Sequence, residues 1–157
     1  MQTKKNLDPK IHEQQCAIVD RNCVFCTIAK SEKNDSWITD LEHGSVFLNF
    51  NQSFYGRLLY IPFNHYASIQ EIPIDQYVDY CLELRLLSGA IQNELKADLI
   101  NLAMLANKVK HVHWHLIPRY KNDERWGQPP WPNTEKTITQ QEITVLKNLI
   151  RNSLSKA

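Results

Sequence analysis

The run His111-Val112-His113-Trp114-His115-Leu116-Ile117-Pro118-Arg119 constrains this chain more than any other. Three of the chain's six histidines stand here, alternating with apolar residues. Side chains along a β-strand point to opposite faces with period 2. The spacing therefore predicts a strand with His111, His113 and His115 on one face and Val112, Trp114 and Leu116 packed on the other. Imidazoles without partners are costly to bury, so three on one strand face point to chemistry rather than packing. Two chemistries suit them. Neutral imidazoles at alternate strand positions can converge on a metal ion. Alternatively, one ring nitrogen attacks phosphorus while its neighbours fix the tautomer and donate to an oxygen.

The surrounding pattern predicts an α+β fold on an antiparallel sheet. Phe25 to Ala29 reads as a helical turn. Trp37 to Thr39 and Ser45 to Asn51 read as short strands around the turn His43-Gly44, and Gly56 to Phe63 as a third. Pro73 opens a long helix over Ile74 to Leu95, with Ile74, Tyr77, Cys81, Leu84, Ile91 and Leu95 at helical spacing. Leu99 to Leu105 reads as a buried strand, joined to the histidine strand by a hairpin over Ala106 to Lys110. Residues 121–138 form a Trp- and Pro-rich loop. Thr139 and Glu142 then form a capping box for a C-terminal helix carrying Ile143, Leu146, Ile150 and Leu154.

At 157 residues the chain suits one domain with a real core. The expected division is an N-terminal arm over 1–20 and a single domain over 21–157, whose last part, from about 132, is an extension. Net charge is +1 with scattered lysines and arginines, which argues against a nucleic-acid surface. No apolar run reaches the length of a membrane span. The polar start MQTKKNLDPK has no apolar segment behind it, so a cytoplasmic location is expected. Cys23 and Cys26 form a C-x-x-C pair, which in a reducing compartment suggests metal or redox work. Cys81 is expected to be a buried, inert thiol, and His12 and His43 to be solvent-exposed. The four dispersed glycines exclude a phosphate loop or dinucleotide fingerprint.

The stretch NLAMLANKVKHVHWHLIPRY resembles the active-site hairpin of the histidine-triad (HIT) family, whose pattern is His-φ-His-φ-His-φ-φ. Val112, Trp114, Leu116 and Ile117 occupy every φ position. FLNFNQSFYGRLLYIPFNH and VFCTI resemble further family segments, and the HWH-φ-φ-PR run resembles a bacterial branch; the likeness covers roughly residues 23–131. It implies a HIT-like fold, with a five-stranded antiparallel sheet, one long helix and a C-terminal helix. It also implies a nucleotide hydrolase or nucleotidyl transferase acting at the α-phosphorus through a covalent nucleotidyl-histidine, and a homodimer. Carried over by position, His113 is the nucleophile, His115 donates to a phosphate or leaving-group oxygen, and His111 orients His113. Asn107 meets the phosphate, Asn49 the ribose, and Asn101 is either a further polar contact or a structural one. Some relatives hold a structural zinc at positions that here are Cys23, Cys26, His65 and His111; the other reading is a reduced thiol pair with a surface His65.

Two departures stand out. The family usually carries a histidine where this chain has Arg57, and a glycine where it has Ala106. Arg57 is expected on the strand beside the triad, as a phosphate clamp or a carboxylate's ion-pair partner. Trp37, Trp126 and Trp131 are expected to pack or to make dimer contacts. The alternative to catalysis is a HIT-fold nucleotide-binding or zinc-stabilised interaction protein, indifferent to the loss of His113.

Overall fold

Alternation along three strands builds the core. The strands are β1 (Trp37–Asp40), β2 (Gly44–Leu48), β3 (Leu58–Pro62), β4 (Leu99–Ala103) and β5 (Trp114–Arg119). They form one antiparallel sheet in the order β1-β2-β3-β5-β4. Register aligns Val46, Tyr60 and Trp114 in one row and Leu48, Leu58 and Leu116 in the next. These six are buried together with Val112 against Leu84, Leu87 and Ile91 of the long helix and Leu146 and Ile150 of the C-terminal helix. The computed structural model describes residues 19–30, 33–131 and 134–156. Most of the expected arm, with His12 and Cys16, lies outside them.

Three helices complete the described fold: α1 (Val24–Lys30), α2 (Ile74–Leu95) and α3 (Gln140–Leu154). Pro73 caps α2 and the Thr139–Glu142 capping box opens α3, both as the sequence predicts. The C-terminal segment is part of the same core. Arg151 Nε donates to the Ile38 carbonyl at 2.5 Å, and its guanidinium lies over the Trp37 ring. No helix among the described residues is long and apolar enough to cross a membrane.

The structure corrects three expectations of burial. Cys81 is exposed, and Ile74 is 78% exposed. The buried face of α2 is Tyr80, Glu83, Leu84, Leu87, Ala90 and Ile91. This helix also carries Val78, Leu82 and Leu86, so more than one apolar stripe fits its spacing, and contact with the sheet selects among them. Leu99 to Leu105 is not a buried strand: β4 is the sheet edge, with Leu99, Leu102 and Leu105 each about half exposed. His43 is not a free loop histidine either. Its backbone N–H (2.9 Å) and its Nδ1 (3.2 Å) meet the Glu83 carboxylate, which also accepts from the Tyr60 hydroxyl.

Glu83 is the buried acid of this core. Burial raises its carboxyl above the usual range, and hydrogen bonds from Tyr60 and His43 pull it back. Tyr60→Phe would leave that carboxylate short of a donor. The expected cost is about 1.5–3 kcal/mol, the range for a hydrogen bond to a charged group, read as a lower urea midpoint at unchanged slope.

Candidate active site and metal centre

The histidine segment enters the sheet gradually. Only His115 lies in β5, opposite Leu59 of β3 and Ala103 of β4. His111 and His113 precede the strand, contrary to the single strand face expected. The reason is local: the Val112 N–H donates to the Tyr66 carbonyl at 2.7 Å, in the loop after β3, rather than joining a sheet ladder. The alternation nevertheless persists. Val112, Trp114 and Leu116 pack into the helix-covered core, and His113 and His115 stack edge-to-face with ring centroids 5.2 Å apart.

Hydrogen bonds fix each tautomer. His113 Nδ1 lies 2.7 Å from the His111 carbonyl oxygen. A carbonyl only accepts, so Nδ1 carries the proton and Nε2 keeps its lone pair. Phe25 of α1 packs edge-on against this ring at 4.7 Å. His115 Nδ1 lies 3.2 Å from Arg57 Nη2; a guanidinium only donates, so the His115 proton sits on Nε2. His111 Nε2 donates to the Pro62 carbonyl at 3.1 Å, leaving Nδ1 as the free acceptor.

Burial holds all three rings neutral near pH 7. It lowers His113 below its ordinary value, against the hydrogen bond to the His111 carbonyl. Burial takes His111 down to about 4. For His115, burial first, then the charge of Arg57 and neighbouring His113, lower it to about 3. A neutral imidazole with a bare Nε2 is the form that attacks phosphorus.

Arg57 departs from expectation in two respects. It lies just before β3 rather than in it, and no carboxylate is within 4.0 Å of it among the described residues. The expected ion pair is therefore not formed. Its backbone is pinned in a tight turn: the Arg57 carbonyl accepts from the Asn49 N–H and from Gln52 Nε2, each at 2.9 Å, and Gln52 Oε1 accepts from the Gly56 N–H. Gly56 has φ 83°, and a Cβ there would sit 2.2 Å from Leu95 Cδ1. The left-handed φ is what favours glycine in this turn; the Leu95 methyl is the end of a flexible side chain and could move.

The expected polar contacts divide. Asn49 is buried beside this turn, its Oδ1 accepting from the Asn51 N–H. Asn107 is exposed in the bend before the triad, which follows Ala106 at φ 49°. Asn101 Oδ1 accepts from Arg119 Nη1 at 2.7 Å. The buried Arg119 guanidinium also binds Asp123 and the carbonyls of Arg125 and Gln128, and so ties down the loop that returns Trp131 to the site. Trp131 lies 5.8 Å from the His115 ring, with the Arg57 guanidinium 5.1 Å from its centroid. Sequence reasoning singled out neither Gln52 nor Phe25. Phe25 meets His113 only through the fold, whereas Gln52 acts within its own turn, on Asn49, Gly56 and Arg57, where no short motif marks it.

A second cluster backs the first. Cys23, Cys26, His65 and His111 place one ligand atom each within 4.8 Å of one another, and they could hold a metal ion. His111 Nδ1 lies 3.5 Å from both sulfurs, and His65 Nδ1 lies 3.4 Å from Cys26 Sγ. His65 is thus not a free surface histidine. Burial pushes the Cys26 thiol up to about 11, and neighbouring Cys23 adds to the shift. A metal would have to displace that proton.

A five-stranded antiparallel sheet with a His-x-His-x-His segment at the mouth of its fourth strand in space defines a histidine-triad architecture. Residues 30–122 match the HIT domain. The adenosine 5'-monophosphoramidase of Saccharomyces cerevisiae is 33% identical over 121 residues, covering 76% of this chain and 75% of that protein. The adenylylsulfatase of Arabidopsis thaliana is 28% identical over 118 residues, covering 72% of this chain and 60% of that protein. A Zn-bound histidine triad family protein from Mycobacterium smegmatis shares the fold with a TM-score of 0.70 at 21% identity, covering 87% of this chain and 98% of that one. The chain belongs to the HIT family.

Proposed function

We propose that this chain is a nucleotide hydrolase or nucleotidyl transferase. It attacks the α-phosphorus of a nucleoside phosphate with His113 Nε2 and passes through a nucleotidyl-His113 intermediate. The observation that carries this reading is the 2.7 Å bond from His113 Nδ1 to the His111 carbonyl, which leaves the opposite nitrogen bare. Relatives named as an adenosine 5'-monophosphoramidase and an adenylylsulfatase support a reaction on an adenylate. In this reading His115 donates from Nε2 to a phosphate or leaving-group oxygen, and Asn49 and Asn107 contact the nucleotide. Asn101 takes the structural one of its two roles, through Arg119. Rapid denaturing quench at alkaline pH, where the P–N bond of a nucleotidyl-histidine survives, with an adenylated substrate and peptide mass spectrometry under the same conditions, should find one adenylyl group on His113. An unmodified His113 throughout turnover would remove the covalent route.

The four-residue cluster is read as a structural zinc site. Zinc bonds of about 2.3 Å to sulfur and about 2.0 Å to nitrogen set tetrahedral S and N ligands about 3.5 Å apart, and the separations here are 3.4–3.5 Å. The His111 Nε2 bond to Pro62 supplies the outer partner that ligating histidines use. A bound zinc would tie α1 to the loop after β3 and to the triad segment; no chemical step is assigned to it.

A cytoplasmic homodimer completes the reading. Among the described residues strand β4 pairs on one side alone, with β5; Leu99 and Leu102 on it, and Leu105 just beyond its end, are about half exposed. Leu102→Lys is expected to convert a dimer into a monomer on light scattering after gel filtration. A wild-type protein that runs as a monomer at micromolar concentration would exclude the dimer.

A further inference from the structure

Resting on the nucleotidyl-transfer reading above, we propose that Arg57 is a positioning residue. It locks His115 as the Nε2–H tautomer and so suits the site to nucleotides whose leaving group departs as an oxyanion rather than as an amine.

The geometry fixes the tautomer. Arg57 is 5% exposed and places Nη2 3.2 Å from His115 Nδ1. A guanidinium has five donors and no acceptor and stays charged, so His115 Nδ1 can only accept there. The contact is held from two sides. The turn with Gly56, Gln52 and Asn49 fixes the Arg57 backbone. The Trp131 ring lies under the guanidinium, and the same ring packs edge-on to His115. Arg57 Nε is buried with no hydrogen-bond partner, and no carboxylate neutralises the head group among the described residues. A fixed, uncompensated cation therefore sits against one side of the ring.

That cation opposes a second proton on His115. The other groups facing the ring offer no relief. Leu59 and Ala103 are its strand neighbours, Trp131 is uncharged, and His113 is a second imidazole. The depressed titration of His115 agrees with this geometry. At neutral pH the ring thus offers a hydrogen bond from Nε2 but holds no proton acidic enough to surrender.

Leaving groups divide on that difference. In the first step a bond forms from His113 Nε2 to phosphorus, and the bond from phosphorus to the leaving atom breaks, its electron pair going to that atom. When that atom is oxygen of sulfate, phosphate or carboxylate, the product is a stable anion, and a hydrogen bond from His115 is enough. When it is nitrogen, the group must take up a proton as it departs. Water then attacks phosphorus, the N–P pair returns to His113 Nε2, and the water's proton passes to solvent. Arg57 favours the first class by denying the second its acid. General-acid assistance of this kind is typically worth about 10²-fold or more.

The test compares two substrates with one nucleotide, adenosine 5'-phosphosulfate and adenosine 5'-phosphoramidate, on wild type, Arg57→Ala and Arg57→His. Wild type should favour the phosphosulfate in kcat/KM by about 10²-fold. Both variants should shift that ratio at least about tenfold toward the phosphoramidate, a change of about 1.4 kcal/mol. The phosphoramidate rate of Arg57→His should rise as pH falls toward 6, while that of wild type stays flat. Each ratio is internal to one preparation, so a partly unfolded variant still reports it. Equal use of both substrates by wild type, or an unchanged ratio in both variants, overturns the proposal while leaving nucleotidyl transfer intact. Turnover of neither substrate by wild type overturns both readings.

Discussion

His113→Ala should lower turnover by at least about three orders of magnitude while the protein remains folded. Losing a covalent nucleophile removes the route itself rather than a contact along it, so the loss falls on kcat. His113 touches the Phe25 ring and the His111 carbonyl, and alanine also deletes that packing. His113→Asn is the sharper variant, because its amide can donate near the Nδ1 position while offering no nucleophile at Nε2. Both variants should lose activity alike, with Asn melting closer to wild type. Wild-type rates in either would end the assignment of His113 as the nucleophile.

Much of the site is legible in the sequence because its signals are local. The alternation from His111 to Leu116 puts apolar residues into the core even though only part of the run pairs as strand. The capping box at Thr139 and Glu142 is a four-residue pattern, and it appears as written. What stayed hidden depends on distant pairing. Arg57 meets His115 across 58 positions, and no spacing rule links them, so its role as a donor to the ring emerges only in three dimensions. Trp131 reaches the same place because Arg119 binds the loop between them. Cys81 misled for the opposite reason: it belongs to one of several apolar stripes on α2, and the sheet buries another.

The Cys23–Cys26–His65–His111 cluster should govern stability on a comparable scale. Purified protein should carry about one zinc per chain, and stripping it with a chelator should lower the melting temperature by about 10 °C or more. The argument is one of linkage: a site assembled only in the folded chain returns its binding free energy as folding free energy. A loss of about 4 kcal/mol is modest beside the values for structural zinc, and at this size each kcal/mol moves the midpoint by roughly 2–4 °C. Cys26→Ala removes a ligand 3.4–3.5 Å from both histidine nitrogens and should melt where chelated wild type melts. A chelator should then add nothing further to that variant, because both act on one site. Cys81→Ser is the control: that thiol is exposed on α2 and outside the cluster, so its loss should leave metal content and melting unchanged. Elemental analysis without zinc after growth in zinc-supplemented medium would return the pair to buried thiols. The catalytic reading would stand, since the bare nitrogen of His113 is set by a carbonyl and not by the metal.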